Sequence, residues 1–500
     1  DAAAGPGGGS TWVTLQAFAG YGRLAGREER GMDFGTSGLR GLVTDMTDAA
    51  CAAWTRAFLD HLVATGRPAT ALLVGRDLRP SSPRIARAVL AAAAGRGLRA
   101  LDCGALPTPA LALEALARGV PAAMVTGSHI PFDRNGIKFY AADGEITKAD
   151  EAGVKGALAA AGQDRPGGAV ERAEGVAERY VARTLGAFPP RFLAGRRIGV
   201  RQHSAVGRDL MVAALEAAGA AVTALDRAED FVPIDTEAVS AGDAAQARAW
   251  VAAHRLDALA TTDGDGDRPL VADETGAFLR GDVLGILVAR FLGADAVACP
   301  VNANSALEAS GWFARTARTR IGSPYVIEAM GRLAAEGARL PVAFEANGGF
   351  LLGASVRGPS GATLAALPTR DALLPILAVL AMAGDGPLSG LRTLLPARFT
   401  ASDRLQDTPP ALTGPFLDRL AADPAARAAF AAPLGLGAEM ALDLTDGVRM
   451  SFADGRVLHL RRSGNAPELR AYAEGPNEAA ATALAAAALA AAAGALCLDR

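Results

Sequence analysis

Three aspartates at alternate positions, Asp263, Asp265 and Asp267, stand with Arg268 in the pattern DGDGDR. In an extended loop such carboxylates can converge on one cation, because the intervening glycines let the backbone bend. Ligands that are all oxygen, without histidine or cysteine, favour a hard ion, magnesium before zinc. Two alternatives stay open. One is a calcium EF-hand loop, which a non-glycine residue at its sixth position and a preceding strand argue against, and the other is a solvated acidic turn.

A basic loop near the C-terminus reads RRSGNAP over residues 461–467. Arginine, hydroxyl, glycine and amide groups together suit a phosphate, because guanidinium forks and backbone amides both bind its oxygens. The candidate phosphate ligands are Arg461, Ser463, Gly464 and Asn465. The alternative is a basic hairpin loop without a ligand.

A third stretch reads TGSHIPFDRNGIK over residues 126–138 and follows the strand-like residues 122–126. Pro131 forbids a helix here, so Ser128 lies on a loop at the C-terminal end of a strand, where open α/β sheets place their chemistry. The chain has three lysines among 50 basic residues, and Lys138 is one of them. Unlike arginine, lysine can lose its proton, which suggests a chemical role. The alternative is an ordinary strand, turn and strand.

Alternating strand-like and helix-like segments position these loops and predict an α/β fold. A length of 500 residues predicts three or four domains. The proline pair at 189 and 190 marks a first boundary. We expect domains at residues 1–190, 191–280, 281–395 and 396–500.

Composition narrows the function further. A net charge of −3 with 50% hydrophobic residues indicates neither disorder nor a nucleic-acid partner. Four cysteines lie far apart, without a C-x-x-C pair, which favours a reducing, cytoplasmic location. Residues 479–498 are alanine-rich and resemble a membrane span in their length and lack of charge, but alanine is too weakly hydrophobic to favour insertion into lipid. We expect them to form a helix packed on a sheet, and we expect no signal peptide.

Five motifs occur in an order that resembles the α-D-phosphohexomutases, the phosphomannomutase/phosphoglucomutase family. They are FGTSGLRG over residues 34–41, VGRDLRPSS over 74–82, the TGSHIP…NGIK stretch, DGDGDR, and RRSGNAP. The resemblance spans about 430 residues, from 31 to 467. It implies three similar α/β domains with mixed sheets and a smaller C-terminal α+β domain around a central cleft, although no repeat is visible in the sequence.

The resemblance also implies catalytic roles. Ser128 would carry a phosphoryl group and pass it to a sugar phosphate, with His129 and Lys138 as alternative proton-transfer groups. Arg40 would reach the phosphate. One magnesium ion would bind the three aspartates and an oxygen of phosphorylated Ser128, with Arg268 beside it.

Three further stretches would bind substrate. Ser323 and Tyr325 stand where the family has a loop that distinguishes sugars. Glu345 matches the glutamate of the family's G-E-x-S-G motif, but Asn347 replaces its serine and leaves the sugar preference open. The loop at 461–467 would hold the phosphate at the far end of the substrate.

The implied activity is reversible phosphoryl transfer between C6 and C1 of mannose or glucose phosphate, through a hexose 1,6-bisphosphate that also acts as activator. A phosphoglucosamine mutase, a magnesium-dependent sugar phosphatase and a non-catalytic sugar-phosphate binder are the alternatives. The expected partner is the hexose phosphate, without nucleic acid or membrane, and the expected assembly is a monomer or homodimer.

Overall fold

The structure is a computed structural model that describes residues 31–35, 38–160, 167–463 and 467–496. Four large sheets follow one another along the chain, each formed by one continuous span. One hydrophobic cluster runs through the first three α/β units, whereas the last unit has its own core. The first three units therefore pack as one body, to which the fourth is attached.

The first unit has an eight-stranded sheet in the order β1-β2-β6-β5-β3-β4-β8, with β7 paired to β6. Its central strands are apolar and buried on both faces, as expected of strands covered by helices. The elements are β1 (Asp33–Phe34), β2 (Leu39–Leu42), α1 (Asp48–Ala64), β3 (Ala71–Arg76), α2 (Ser82–Gly95), β4 (Arg99–Ala105), α3 (Thr108–Arg118), β5 (Ala122–Val125), β6 (Arg134–Ala141), β7 (Gly144–Glu145), α4 (Lys148–Ala157), a 3-10 turn (Leu158–Ala160), β8 (Ala169–Arg172) and α5 (Val176–Gly186).

The second unit has five strands in the order β10-β9-β11-β12-β13. Its elements are β9 (Arg197–His203), α6 (Arg208–Ala217), β10 (Ala221–Arg227), α7 (Ala241–His254), β11 (Ala258–Thr262), β12 (Pro269–Ala272) and β13 (Phe278–Leu279).

The third unit has five strands in the order β15-β14-β16-β17-β20 and a separate hairpin of β18 and β19. Its elements are α8 (Gly281–Leu292), β14 (Ala296–Pro300), α9 (Ala306–Ala309), β15 (Arg315–Thr319), α10 (Ser323–Ala335), β16 (Pro341–Phe344), β17 (Phe350–Leu352), β18 (Val356–Arg357), β19 (Thr363–Leu364), β20 (Leu367–Asp371), α11 (Leu373–Ala383) and a 3-10 helix (Leu388–Leu394).

The three units share one strand plan. In each, the first strand (β3, β9, β14) lies between two parallel neighbours, and a fourth strand (β6, β12, β17) runs antiparallel to the third. The loop between the third and fourth strands holds residues 126–133, 263–268 and 345–349 in the three units. The serine, aspartate and glutamate motifs thus occupy the same place in three copies of one topology.

The fourth unit is an antiparallel sheet in the order β21-β25-β24-β23-β22. Helices cover one face, and the other face carries polar side chains. The elements are β21 (Phe399–Leu405), α12 (Pro410–Ala422), α13 (Pro424–Ala431), a 3-10 turn (Ala432–Leu434), β22 (Glu439–Asp443), β23 (Val448–Phe452), β24 (Val457–Arg462), β25 (Leu469–Gly475) and α14 (Glu478–Ala495).

The predicted fold class is confirmed, because three mixed α/β sheets precede an α+β unit. The four sheets end at residues 172, 279, 371 and 475, and the domain boundaries stay a prediction between them. α14 begins after Asn477, whose side chain accepts from the amide of Ala480, and it packs on β21 and β25. By length and composition α14 also qualifies as a membrane span, and α11 does so only jointly with the 3-10 helix bent 88° from it.

Candidate active site

Ser128 lies in a strained turn at the end of β5. It is fully buried, and its φ of +53° lies in the left-handed region, which residues other than glycine rarely occupy. Its amide donates to Thr126 Oγ1 at 2.8 Å. Gly127 precedes it, because a Cβ there would lie 2.4 Å from the Arg79 guanidinium carbon. The turn thus holds the serine hydroxyl in one orientation.

The turn is stabilised by Arg79, whose side chain is fully buried. Its guanidinium donates to the carbonyls of Ser128 at 2.8 Å, Ile130 at 2.6 Å and Pro131 at 2.7 Å. Asp77 pairs with the same guanidinium at 3.2 Å. The motif over residues 74–82 contained both residues, but their contact with the serine loop could not be read from the sequence.

The serine loop meets the aspartate loop of the second unit. Ser128 Oγ donates to Asp263 Oδ2 at 2.6 Å. Asp263 Oδ1 accepts from the amides of Asp267 at 3.3 Å and Arg268 at 3.2 Å, which folds the aspartate loop back on itself. The structure therefore brings Ser128 and the first predicted metal ligand into direct contact.

The three aspartates form a cluster that a metal ion fits. One carboxylate oxygen from each of Asp263, Asp265 and Asp267 lies within 4.8 Å of the others, and all three side chains are buried. Asp265 Oδ1 and Asp267 Oδ1 have no hydrogen-bond partner among the described residues. Burial and the two neighbouring carboxylates raise the pKa of Asp263 well above its ordinary value. Buried oxygen atoms with unmet charge are what a hard divalent ion would satisfy.

Lys138 lies on the metal side of the site. Its Nζ donates to Asp265 Oδ2 at 2.6 Å and to Asp267 Oδ2 at 2.7 Å, and its side chain is buried. Thr108 Oγ1 also donates to Asp265 Oδ2, at 2.6 Å. Lys138 therefore compensates the charge of two carboxylates in this arrangement.

His129 lies on the serine side of the site. Its Nδ1 is 3.5 Å from Ser128 Oγ and accepts from Arg268 NH1 at 2.8 Å. Burial, Arg268 and Arg40 lower the pKa of His129 well below its ordinary value, so the ring is neutral at pH 7. Arg40 donates to the Thr126 carbonyl at 2.9 Å, and burial lowers its pKa to about 10. A neutral base and two cations thus surround the serine.

Arg370, at the end of β20, joins two parts of the site and was missed from the sequence. Its Nε donates to Asp267 Oδ2 at 3.0 Å, and its NH1 donates to Glu345 Oε2 at 2.9 Å. All three side chains are no more than 4% exposed. Arg370 belongs to none of the motifs that carried the resemblance, and the only signal was a lone arginine before Asp371.

We expect Arg370→Met to unfold at a clearly lower temperature than the parent protein. Removing one partner of a buried ion pair leaves the other charge uncompensated, at a cost of about 3–5 kcal/mol. The same change should raise the magnesium concentration that gives half-maximal activity, because Asp267 loses a positioning contact. Calorimetry and magnesium titration measure the two effects, with Arg419→Met on an exposed face of α12 as the control. Unchanged unfolding and magnesium dependence would contradict this role.

The predicted sugar loop begins at α10. Ser323 is buried and its Oγ donates to Glu145 Oε2 at 2.9 Å, so its hydroxyl faces the first unit. Thr369 Oγ1 donates to the other oxygen of Glu145 at 2.6 Å. Tyr325 stacks its ring 5.4 Å from the Arg320 guanidinium carbon. Ser323 therefore ties the third unit to the first.

Glu345 and Asn347 lie on the tight turn between β16 and β17. Asn347 Oδ1 accepts from the amide of Gly349 at 3.0 Å, and its carbonyl accepts from Thr236 Oγ1 at 2.8 Å. Both side chains are buried, and Glu345 accepts from Arg370. The hairpin turn uses the Asn347 side-chain oxygen and leaves its NH2 group as a donor.

The predicted phosphate loop follows β24. Arg461 Nε lies 3.3 Å from Asp446 Oδ2, and the same oxygen accepts from the amide of Ile321 at 3.0 Å. The amide of Ser463 donates to the carbonyl of Glu468 at 2.9 Å. Gly464 and Asn465 lie outside the described residues. Asp446 thus contacts both Arg461 and the amide of Ile321, which directly precedes the predicted sugar loop. This contact joins the fourth unit to the third.

A serine hydroxyl held against a buried carboxylate triad, with loops of the first three units converging on it, is typical of a phosphoryl-transfer enzyme of the multidomain α/β class. Family models match residues 31–165 (phosphoglucomutase/phosphomannomutase, alpha/beta/alpha domain I) and 415–491 (the C-terminal domain of the same family). A phosphomannomutase of Salmonella muenchen is 45% identical over 453 residues, 90% of this chain and 93% of the relative. One of Sinorhizobium fredii is 43% identical over 461 residues, 90% of this chain and 96% of the relative.

A crystal structure of a phosphoglucomutase/phosphomannomutase family protein from Burkholderia thailandensis has the same fold. It superposes with a TM-score of 0.73 at 21% identity and covers 92% of this chain and 97% of that one. The chain belongs to the phosphoglucomutase/phosphomannomutase family, and the protein is a hexose-phosphate mutase.

Proposed function

We propose that the protein moves a phosphoryl group reversibly between C6 and C1 of mannose or glucose phosphate, with Ser128 as the relay. The observation that carries this proposal is the 2.6 Å contact between Ser128 Oγ and Asp263 Oδ2, which puts a buried hydroxyl at the edge of the carboxylate triad. A phosphoryl group on that oxygen would lie between the metal ligands and Arg268.

The first half-reaction transfers the phosphoryl group from Ser128 to the free hydroxyl of the sugar monophosphate. The serine P–O bond breaks as the bond from phosphorus to the sugar oxygen forms, and the product is a hexose 1,6-bisphosphate. We assign the proton of the sugar hydroxyl to His129, because it is neutral and adjacent to Ser128, whereas Lys138 is committed to two aspartates. The same proton then passes from His129 to the departing Ser128 oxygen, which becomes a hydroxyl again. The second half-reaction returns the other phosphate to Ser128.

Charge neutralisation governs such a transfer more than covalent assistance does. Asp263, Asp265 and Asp267, with an oxygen of phosphorylated Ser128, would hold one magnesium ion, which supplies positive charge to the transferring group. Arg268 lies 3.8 Å from Asp263 Oδ2 and binds His129, and Arg40 adds a second cation. These arginines hold the phosphoryl oxygens while the bond to the serine breaks.

The bisphosphate must rotate end for end without dissociating from the protein. The protein therefore needs a second site that binds the phosphate that is not reacting. We propose that this second phosphate site consists of Arg461, Ser463, Gly464 and Asn465. Asp446 fixes the Arg461 guanidinium through Nε. A sugar phosphatase needs no second phosphate site, and a non-catalytic binding protein needs no serine at the carboxylate triad. These two alternatives therefore leave part of the site unexplained.

The sugar we favour is mannose, because the two relatives at 45% and 43% identity are phosphomannomutases. Glu345 and Asn347 would bind its hydroxyls, and Ser323 and Tyr325 would shape the same pocket. Glucose phosphate is the second candidate and glucosamine phosphate the third. Steady-state kinetics with the three 6-phosphates tests the order: mannose should give the highest kcat/KM, and a preference for glucosamine would overturn it.

We expect Arg461→Ala to lower kcat/KM roughly 10- to 150-fold, because a charge-assisted arginine–phosphate contact contributes about 1.5–3 kcal/mol. Arg461→Lys should recover only part of this loss, since lysine cannot make a two-pronged contact. Ser128 should still become phosphorylated in both variants. Steady-state kinetics beside Arg419→Ala measures the effect, and a loss below about twofold would leave the hairpin interpretation standing.

We propose a cytoplasmic location, with a monomer or homodimer as the working assembly. Three cysteines, Cys51, Cys103 and Cys299, are free thiols, and burial raises the pKa of each to about 11 or 12. Thiols kept protonated in this way suit a reducing compartment. Size-exclusion chromatography with light scattering decides the assembly.

A further inference from the structure

A cavity of about 340 Å³ lies between the third and fourth units. Its walls are Glu308 and Arg318 from the third unit and Arg398, Arg449, Ser451 and Arg456 from the fourth. None of these residues belongs to the candidate active site described above. Its volume falls in the range of small-molecule sites, which begins at about 300 Å³.

The cavity is cationic, because four arginines and a single carboxylate line it, with one further carboxylate, Asp454, paired to Arg456 at 2.6 Å. Arg318 is fixed by Glu308, to which its Nε donates at 2.8 Å and its NH2 at 2.7 Å, and by the carbonyls of Pro300 and Ala303. Arg398 is fixed by the carbonyl of Gly455. These cations are therefore held in place before any ligand arrives.

Arg449 is the cation with the weakest partners. Its NH1 lies 3.4 Å from Ser451 Oγ, and its NH2 lies 3.6 Å from Glu474 Oε1. The alternation of β23 explains its direction: Val448 and Met450 face the helices, so Arg449 and Ser451 face the third unit. The Arg449 guanidinium and the Ser451 hydroxyl thus point into the cavity, and their long contacts leave hydrogen-bonding groups available for a ligand.

We propose that this cavity binds a small molecule bearing one or more phosphate groups, at a site separate from the catalytic one. Arg449 and Ser451 would hold the phosphate, and Arg398 and Arg318 would supply the surrounding positive charge. Paired guanidinium donors select phosphate and carboxylate oxygens, and a cluster of four favours the more highly charged phosphate.

Because the cavity lies between the third and fourth units, a bound ligand would affect how these two units are held together. The fourth unit has its own hydrophobic core and meets the third unit here through polar contacts, such as Ser305 with Glu474 and Asn304 with the carbonyl of Arg398. A ligand that touches both walls binds best when the units are together, and so stabilises the arrangement in which Asp446 contacts Ile321. The bound anion would thereby favour association of the third and fourth units.

The probe that tests this site is pyrophosphate, titrated calorimetrically into the full chain without magnesium. The catalytic phosphate loop can also bind the probe, so the titration is run in an Arg461→Ala background. We expect one remaining binding event there, weakened at least about 10-fold by Arg449→Gln and less by Arg449→Lys. Arg419→Gln, an exposed arginine of the same unit, should leave it unchanged.

Equal binding in Arg461→Ala with and without Arg449→Gln would overturn the proposal, as would the absence of any binding in Arg461→Ala. These outcomes leave the proposed catalytic function untouched, because Arg449 has no part in it. Turnover of Arg449→Gln without added anion should equal that of the parent protein, which also shows that the variant folds.

Discussion

Ser128→Ala should fold as the parent protein does and lose at least about 10³-fold in turnover, because the proposed relay has no other oxygen that can carry the phosphoryl group. The hydroxyl donates one hydrogen bond to Asp263, and the fold around it is maintained by Arg79 through the backbone carbonyls. The side chain can therefore be truncated without releasing the turn.

Ser360→Ala, in an exposed turn of the third unit, is the matched control and should retain full activity. Calorimetric unfolding of both variants separates loss of catalysis from loss of structure. Turnover of Ser128→Ala within about tenfold of the parent would contradict the relay, because removal of the group that carries the phosphoryl group cannot cost so little.

Removal of divalent metal should abolish activity, and magnesium should restore it better than zinc. Asp265 Oδ1 and Asp267 Oδ1 are buried without partners among the described residues, and the cluster is built from oxygen alone. Without the ion, the carboxylates repel the incoming phosphate instead of drawing it in, so the loss should approach that of Ser128→Ala.

Exhaustive chelation followed by back-titration with each metal measures this dependence. Chelator already saturated with magnesium serves as the control for effects of the chelator itself. Full activity of the metal-free protein would refute the assignment of Asp263, Asp265 and Asp267 as metal ligands. Stronger recovery with zinc would refute the choice of magnesium.

The chemistry of the site could be predicted from the sequence because its central residues lie in short local patterns. Ser128 and the aspartates each stand within a few residues of the glycines and prolines that shape their loops, and the structure places Ser128 Oγ 2.6 Å from Asp263 Oδ2. The residue roles remain predictions, but their convergence is a property of the fold.

The contacts between units could not be predicted, because they join residues far apart in the chain. Arg370 reaches Asp267 across 103 positions, and Ser323 reaches Glu145 across 178. The contact of the Ser323 hydroxyl with the first unit had no signal in the sequence, and its role in sugar binding stays a prediction. The shared topology of the three α/β units was expected from the family resemblance alone, because the same strand plan is built from sequences in which no repeat is visible.

The most direct test of the central claim follows one labelled phosphoryl group. Protein carrying radiolabelled phosphate on Ser128 is mixed with unlabelled mannose 6-phosphate and magnesium, and the label is traced over one turnover. We predict that the label passes to the sugar bisphosphate and then to product, while the protein retains one phosphate per chain. Label that stays on the protein during turnover, or appears as inorganic phosphate, would contradict the mutase relay through Ser128.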